Sequence, residues 1–176
     1  PAGTFVMGSP NTEPNRNNDE TQHTVTLNAF KLSKYEITNQ QFALFLNTNN
    51  VKGNGKFSTG LYPEQVLILA ETRIGLTFNT TTGWEPVKGF ENHPVINVTW
   101  YGADEFARYA GGRLPTEAEW EYACRAGSST PFSTGNCLSD TDASYDWALP
   151  YGSCSNQNTT SPTGTSQVGS FPANAW

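Results

Sequence analysis

The sequence predicts a loop-rich fold that mixes short strands with a few helices. Three observations point there. Apolar residues alternate near the N-terminus, two segments open on a Thr-x-x-Gln or Thr-x-x-Glu capping box, and Asn, Thr, Ser and Gly fill long connecting stretches. At 176 residues, 36% hydrophobic and 12% aromatic residues suffice for a core of single-domain size. No repeat, heptad or shift in composition divides the chain, so one domain over residues 1–176 is the expected organisation.

Taken in order, "GTFVMGS" at Gly3 to Ser9 and "HTVTLNAFKLSKYEIT" at His23 to Thr38 alternate in hydrophobicity and read as strands around a polar loop, Asn11 to Thr21. Thr38 then caps a short helix. Gln41 stands three residues on, and Phe42, Phe45 and Leu46 share one helical face. From Val51 to Asn92 the pattern weakens, with short strands expected at "VLILA" and "IGLTFN" and turns at "TTTGWEPVKG". "HPVINVTW" reads as another strand, after which Thr99 caps a helix running to the stop signal Gly111-Gly112. The next helix lies in "GGRLPTEAEWEYACRAG". Beyond Gly127, only "PF" at 131–132 and "QVGSF" from Gln167 suggest strands.

A net charge of −6 with scattered Lys and Arg excludes the concentrated basic face that nucleic acids require. No apolar run approaches a membrane span, and the absence of a leader at Pro1 implies that any signal peptide has been removed or lies outside this stretch. Cys124, Cys137 and Cys154 have no CxxC spacing, which argues against zinc. Cys137 and Cys154 both sit among turn residues and are a candidate disulfide, whose formation depends on an approach that sequence leaves open.

The glutamates of "PTEAEWEYACR" invite an acid-base reading, but each has a structural task. Thr116 and Glu119 form a capping box, Glu117 lies in the first turn where the helix dipole favours negative charge, and Glu121 precedes Arg125 by four residues in a favourable ion-pair order. Arg113, just ahead, is suited to tie a helix glutamate to another element. Trp120 and Tyr122 supply packing bulk, and Cys124, far in sequence from His23 and His93, reads as a buried packing residue rather than a nucleophile. Neither histidine has a metal-binding context. The sequons at Asn79, Asn97 and Asn158 matter only in a eukaryotic secretory setting. No catalytic or metal-ligating residue is assigned from these patterns.

"GTFVMGS", "VTLNAFKLSKYEITNQQFALFL", "HPVINVTWYGADEFARYAGGRLPTEAEWEYACRAG" and "SQVGSFPANAW" occur in that order and together resemble the formylglycine-generating enzyme, or sulfatase-modifying factor, family. The resemblance covers most of the chain and is poorest over Val51 to Asn92. It implies an α+β fold, a loop-rich variant of the C-type lectin fold with few helices and short antiparallel strands. Active members of such a family oxidise a sulfatase cysteine to formylglycine with oxygen and copper held by two cysteines. The resemblance places that pair after Trp176, so the C-terminal part of the domain is expected to be missing here, and copper is implied only for a chain that carries it. For the family's calcium site, Ser144 in "ASYDW" stands where an asparagine ligand is typical and Thr160 falls near an expected aspartate, so calcium is a weak expectation. Histidine poverty disfavours the iron-binding ergothioneine-pathway relatives.

These observations imply an extracellular or periplasmic domain, non-catalytic as it stands, that serves binding, assembly or structure. Two other readings follow from the same resemblance. One is the N-terminal part of a copper-dependent oxidase; the other is a lectin-like module for a protein or glycan partner, with Trp84, Trp100, Tyr145, Trp147 and Tyr151 available for stacking, although most of these aromatics are expected to be core residues.

Overall fold

A computed structural model describes residues 1–58, 60–146, 148–155 and 162–176. The elements, in order, are β1 (Gly3–Met7), β2 (His23–Leu27), α1 (Asn39–Thr48), β3 (Lys56–Phe57), β4 (Gln65–Val66), β5 (Leu76–Asn79), β6 (Gly83–Pro86), α2 (Trp100–Tyr109) and α3 (Glu117–Arg125). The strands form three two-stranded antiparallel ladders, β1-β2, β3-β4 and β5-β6. This is the expected α+β architecture of few helices and short strands joined by long loops. The chain forms two compact units, one from residues 1–32, 115–163 and 171–176 and the other from 33–114 and 164–170.

The second unit holds the apolar core of Phe42, Ala43, Phe45, Leu46, Val51, Leu67, Ile68, Leu76 and Trp84. α1 supplies its inner face because residues 42, 45 and 46 recur at helical spacing. Thr38 accepts from the Gln41 amide while the Gln41 side chain accepts from the Thr38 amide, so both halves of the capping box form. Phe106 of α2 stacks on Phe42 with ring centroids 5.4 Å apart. α2 is seated by Thr99, whose hydroxyl donates to the Val66 carbonyl at 2.6 Å and accepts from Gly102. Gly102 is required there, since a Cβ would collide with the Leu67 carbonyl oxygen. Asn39 is fully buried, and its amide donates to the Ile74 and Phe90 carbonyls, tying two loops to the helix start.

In the first unit, β1 turns Gly3, Phe5 and Met7 inward with the period of a strand. Tyr122 of α3 lies beneath them, 5.1 Å from the Phe5 ring, with Phe30 and Trp176 completing an aromatic cluster. Gly3 leaves room for the Tyr122 hydroxyl, which any Cβ would strike. Cys137 and Cys154 form a disulfide with a Cα–Cα distance of 5.7 Å, closing a loop with a sequence separation of 17.

Several expected strands resolve differently. β2 ends at Leu27 because the five residues of β1 offer no further partner, leaving Phe30, Leu32 and Tyr35 in irregular chain. "HPVINVTW" forms no strand. It makes only isolated bridges, Thr38 with Pro94 and Ile68 with Val98; Pro94 lacks an N–H to donate and Asn97 takes a left-handed φ of 60°. Conversely, "GWEP" in the expected turn region is β6, and the turn is only its lead-in from Asn79. "PF" makes a single bridge, Phe132 with Gly135, and "QVGSF" is turn and loop.

Candidate functional site

α3 begins at Thr116, whose hydroxyl accepts from the Glu119 amide at 3.2 Å while the Glu119 carboxylate accepts from the Thr116 amide at 2.9 Å. Glu117 stands in the first turn, exposed. One turn later, Glu121 and Arg125 form an ion pair at 2.8 Å. The pair has a second task that spacing alone did not disclose: the Gly8 amide donates to Glu121 at 2.9 Å and Arg125 donates to the Gly8 carbonyl at 3.0 Å. Both polar groups of one peptide residue at the end of β1 are thereby held by α3. Gly8 has φ 92°, and a Cβ there would lie 2.8 Å from the Glu20 carbonyl oxygen. The glycine lets the 9–22 loop fold back over the end of the hairpin.

That fold-back makes a cleft of about 570 Å³ within the first unit, lined by the ends of β1 and β2, loop residues 17–21 and the first turns of α3. Asp19, Glu20, Glu117 and Glu121 contribute to its lining, with His23 and the apolar Met7 and Val25. Glu20 accepts from the Asn17 amide at 3.1 Å, and that bond holds its carboxyl below the usual range. His23 Nδ1 lies 2.9 Å from the Thr21 carbonyl; because a carbonyl only accepts, Nδ1 carries the proton.

Arg113 donates to the Leu114 carbonyl. Four of the five proposed stacking residues lie among the described residues. Trp84 is 1% exposed, and its indole N–H donates to the Val51 carbonyl at 3.0 Å, so it is a core residue; the β5-β6 alternation drives it inward. Trp100 is 59% exposed in the second unit, edge-on to Tyr62 and Tyr101. Tyr145 is half-buried and donates to the Leu138 carbonyl, and Tyr151 is half-buried against Phe132. Trp147, like Thr160 and the Asn158 sequon, lies outside the described residues. Two packing expectations are also corrected: Trp120 is 59% exposed and Cys124 is exposed, because α3 turns Tyr122 inward and these two outward.

Sequence reading missed a cluster in the second unit. Asp104 accepts from Tyr62 at 2.9 Å and from Arg108 at 2.8 Å. The Arg108 hydrogen bond holds the Asp104 carboxyl below its ordinary range, and Asp104 in turn raises the Tyr62 hydroxyl. The i,i+4 spacing of Asp104 and Arg108 was the available signal; the Tyr62 contact, 42 positions away, had none.

Copper held by paired thiolates does not fit this chain's donors. Cys137 and Cys154 are bonded to each other, leaving Cys124 as the free thiol. Among the described residues no three His, Cys, Asp or Glu side chains converge to hold a metal, and Asp142, beside Ser144, accepts from the amide and hydroxyl of Ser139. Also among the described residues, no helix is long and apolar enough to cross a membrane.

Capped short helices, two-stranded ladders and loops tied down by side chains define an α+β protein of the formylglycine-generating-enzyme-like fold. PvdO from Pseudomonas aeruginosa has a similar solved structure, with TM-score 0.62 and 26% identity over 99% of this chain and 62% of that one. The formylglycine-generating enzyme of Mus musculus is 32% identical, over 100% of this chain and 52% of its own length. That of Mycobacterium tuberculosis is also 32% identical, over 100% of this chain and 67% of its own. The sulfatase-modifying factor enzyme 1-like domain family matches residues 1–176, and the chain belongs to that family. It spans about half the length of the mouse and bovine relatives.

Proposed function

We propose that this chain is a binding and scaffolding part of a sulfatase-modifying-factor-like domain acting outside the cytoplasm, with no copper oxidase chemistry of its own. The observation that carries this reading is the state of its cysteines. A copper site of the family's type needs two thiolates side by side, and here the pair with bonding geometry is already a disulfide, whose sulfurs are poor ligands. The same disulfide supports an extracellular or periplasmic setting, where such bonds persist. The C-type lectin relationship and a protein or glycan partner belong to this proposal. Within it, the cleft of the first unit is the recognition site, because it is a concave surface of ligand size.

A second reading has its own support: the match to formylglycine-generating enzymes extends over the whole chain at about one-third identity, as expected of the N-terminal part of an active oxidase. Oxygen consumption with a Cys-x-Pro-x-Arg peptide and supplied copper, assayed on the full-length protein, separates the two. The folded full-length protein is expected to show no turnover. Conversion of the peptide to the aldehyde would overturn the proposal.

A further inference from the structure

We infer that the Cys137–Cys154 disulfide is a redox latch on the 9–22 loop: reduction of the bond by a protein dithiol loosens that loop and with it one wall of the cleft. The inference rests on the reading of the cleft as the recognition site for what the latch controls, but not for how the latch works.

The bond closes a stretch with little structure of its own. Between Cys137 and Cys154 no helix or strand forms among the described residues. The backbone bonds there are short-range, from the Asp142 amide to the Ser139 carbonyl, from Leu149 to Asp146 and from Cys154 to Tyr151. Such a segment keeps its shape mainly through its closure, because a few local bonds open easily. Cys137 is exposed and Cys154 half-buried, so the bond lies at the surface, within reach of a thiolate.

The C-terminal end of this stretch meets the 9–22 loop. Tyr151 packs edge-on to Phe132 with ring centroids 5.0 Å apart, and its hydroxyl is shut off from solvent. That burial, and after it the charge of Glu13, raise the hydroxyl above its ordinary value, which places the tip of Tyr151 beside the loop. The next residue, Gly152, has φ 54° and presents bare backbone to Pro14; a Cβ there would lie 3.2 Å from the proline ring. Hydrogen bonds close the 9–22 loop on itself, from the Glu13 amide to the Pro10 carbonyl and from the Ser9 amide to the Glu20 carbonyl. Its middle therefore leans on a wall that the disulfide holds in place. Its base is fixed separately, by the grip of Glu121 and Arg125 on Gly8, which involves neither cysteine.

The chemical step is thiol–disulfide exchange. One thiolate of the dithiol attacks the Cys137 sulfur, forming a mixed disulfide and releasing Cys154 as a thiolate that takes up a proton. The second thiol of the reductant then displaces Cys137. Two electrons and two protons pass to the cysteine pair, and the reductant leaves as a disulfide.

Hydrogen exchange of the full-length protein, read amide by amide before and after dithiothreitol, tests the latch. The Glu13, Glu20 and Cys154 amides, each hydrogen-bonded in the structure, are expected to exchange about tenfold faster once the bond is reduced, while the Gly8 and Ala126 amides keep their protection. Reoxidation with glutathione disulfide should restore the slow rates. Cys137→Ser/Cys154→Ser should be fast at the same three amides from the outset and should not respond to dithiothreitol. Tyr151→Ala, with the bond intact, should bring Glu13 and Glu20 towards their reduced-state rates, and it serves as the second variant where the double one does not fold. Four results would overturn the inference: a bond that dithiothreitol leaves intact in the folded protein, Glu13 and Glu20 rates unchanged by reduction or by Tyr151→Ala, a response to dithiothreitol in the double variant, or loss of Gly8 and Ala126 protection along with the loop. The last would make the bond a staple of the whole unit. No readout involves copper or a bound ligand, so failure here is distinguishable from failure of the proposed function.

Discussion

The two compact units solve the same stability problem with different materials. The second buries a contiguous cluster of aromatic and aliphatic side chains around α1. The first has few buried apolar residues, Met7, Tyr122 and Ala126 among them, and is held by a disulfide, an aromatic contact under β1 and an ion pair that grips a single peptide residue. A packed core is cooperative, so one truncation is felt throughout it, whereas cross-links and clamps act locally.

The comparison can be broken from either side. The largest effect is expected in the packed unit: Trp84→Ala or Phe45→Ala should cost about 3–5 kcal/mol and remove protection from the α1 amides, measured by denaturant melts and hydrogen exchange. Survival of α1 protection in either variant would show that the core is less cooperative than its packing implies. Next, Cys137→Ser should cost about 2–4 kcal/mol, with faster exchange around Tyr151 and Phe132 and the α1 amides unaffected. Third, Glu121→Gln should cost about 1–3 kcal/mol through the loss of a charged acceptor for Gly8 and Arg125, and should loosen the 9–22 loop first.

The smallest effect is one of pH. Asp104 has its carboxyl lowered by Arg108 and then by Tyr62, so its contribution is present above the ordinary aspartate value of about 3.9 and is lost as pH falls through the lowered folded value. The second unit should therefore loosen below about pH 4, followed by Trp100 fluorescence. Asp104→Asn should flatten that part of the acid transition; an unchanged transition would mean that other carboxylates govern it.

Local signals made much of this readable in advance. The Thr38, Thr99 and Thr116 caps lie where sequence places them, because capping is decided within four residues. The Glu121–Arg125 pair and the family resemblance were equally visible. What sequence did not show depends on distant partners. Whether Trp84 was the core residue or one left for stacking is decided only by the pairing of β5 with β6, and Cys124 and Trp120 needed the orientation of α3 about Tyr122 to be placed outside. β2 stopped short of its apolar pattern for want of a partner strand. The cleft was invisible for the same reason. It requires the 9–22 loop to return over Gly8 beside a helix more than 90 positions later in the chain, and no pattern within either segment announces that meeting.

The central claim, that the protein recognises rather than oxidises, is tested most directly by titrating the folded, disulfide-bonded full-length protein with Cu(I) against a competing chelator. The account predicts no stoichiometric high-affinity site, and no change in the weak residual binding beyond loss of the single Cys124 thiol in Cys124→Ser. One tightly held copper per chain, with two sulfur ligands by X-ray absorption, would contradict it.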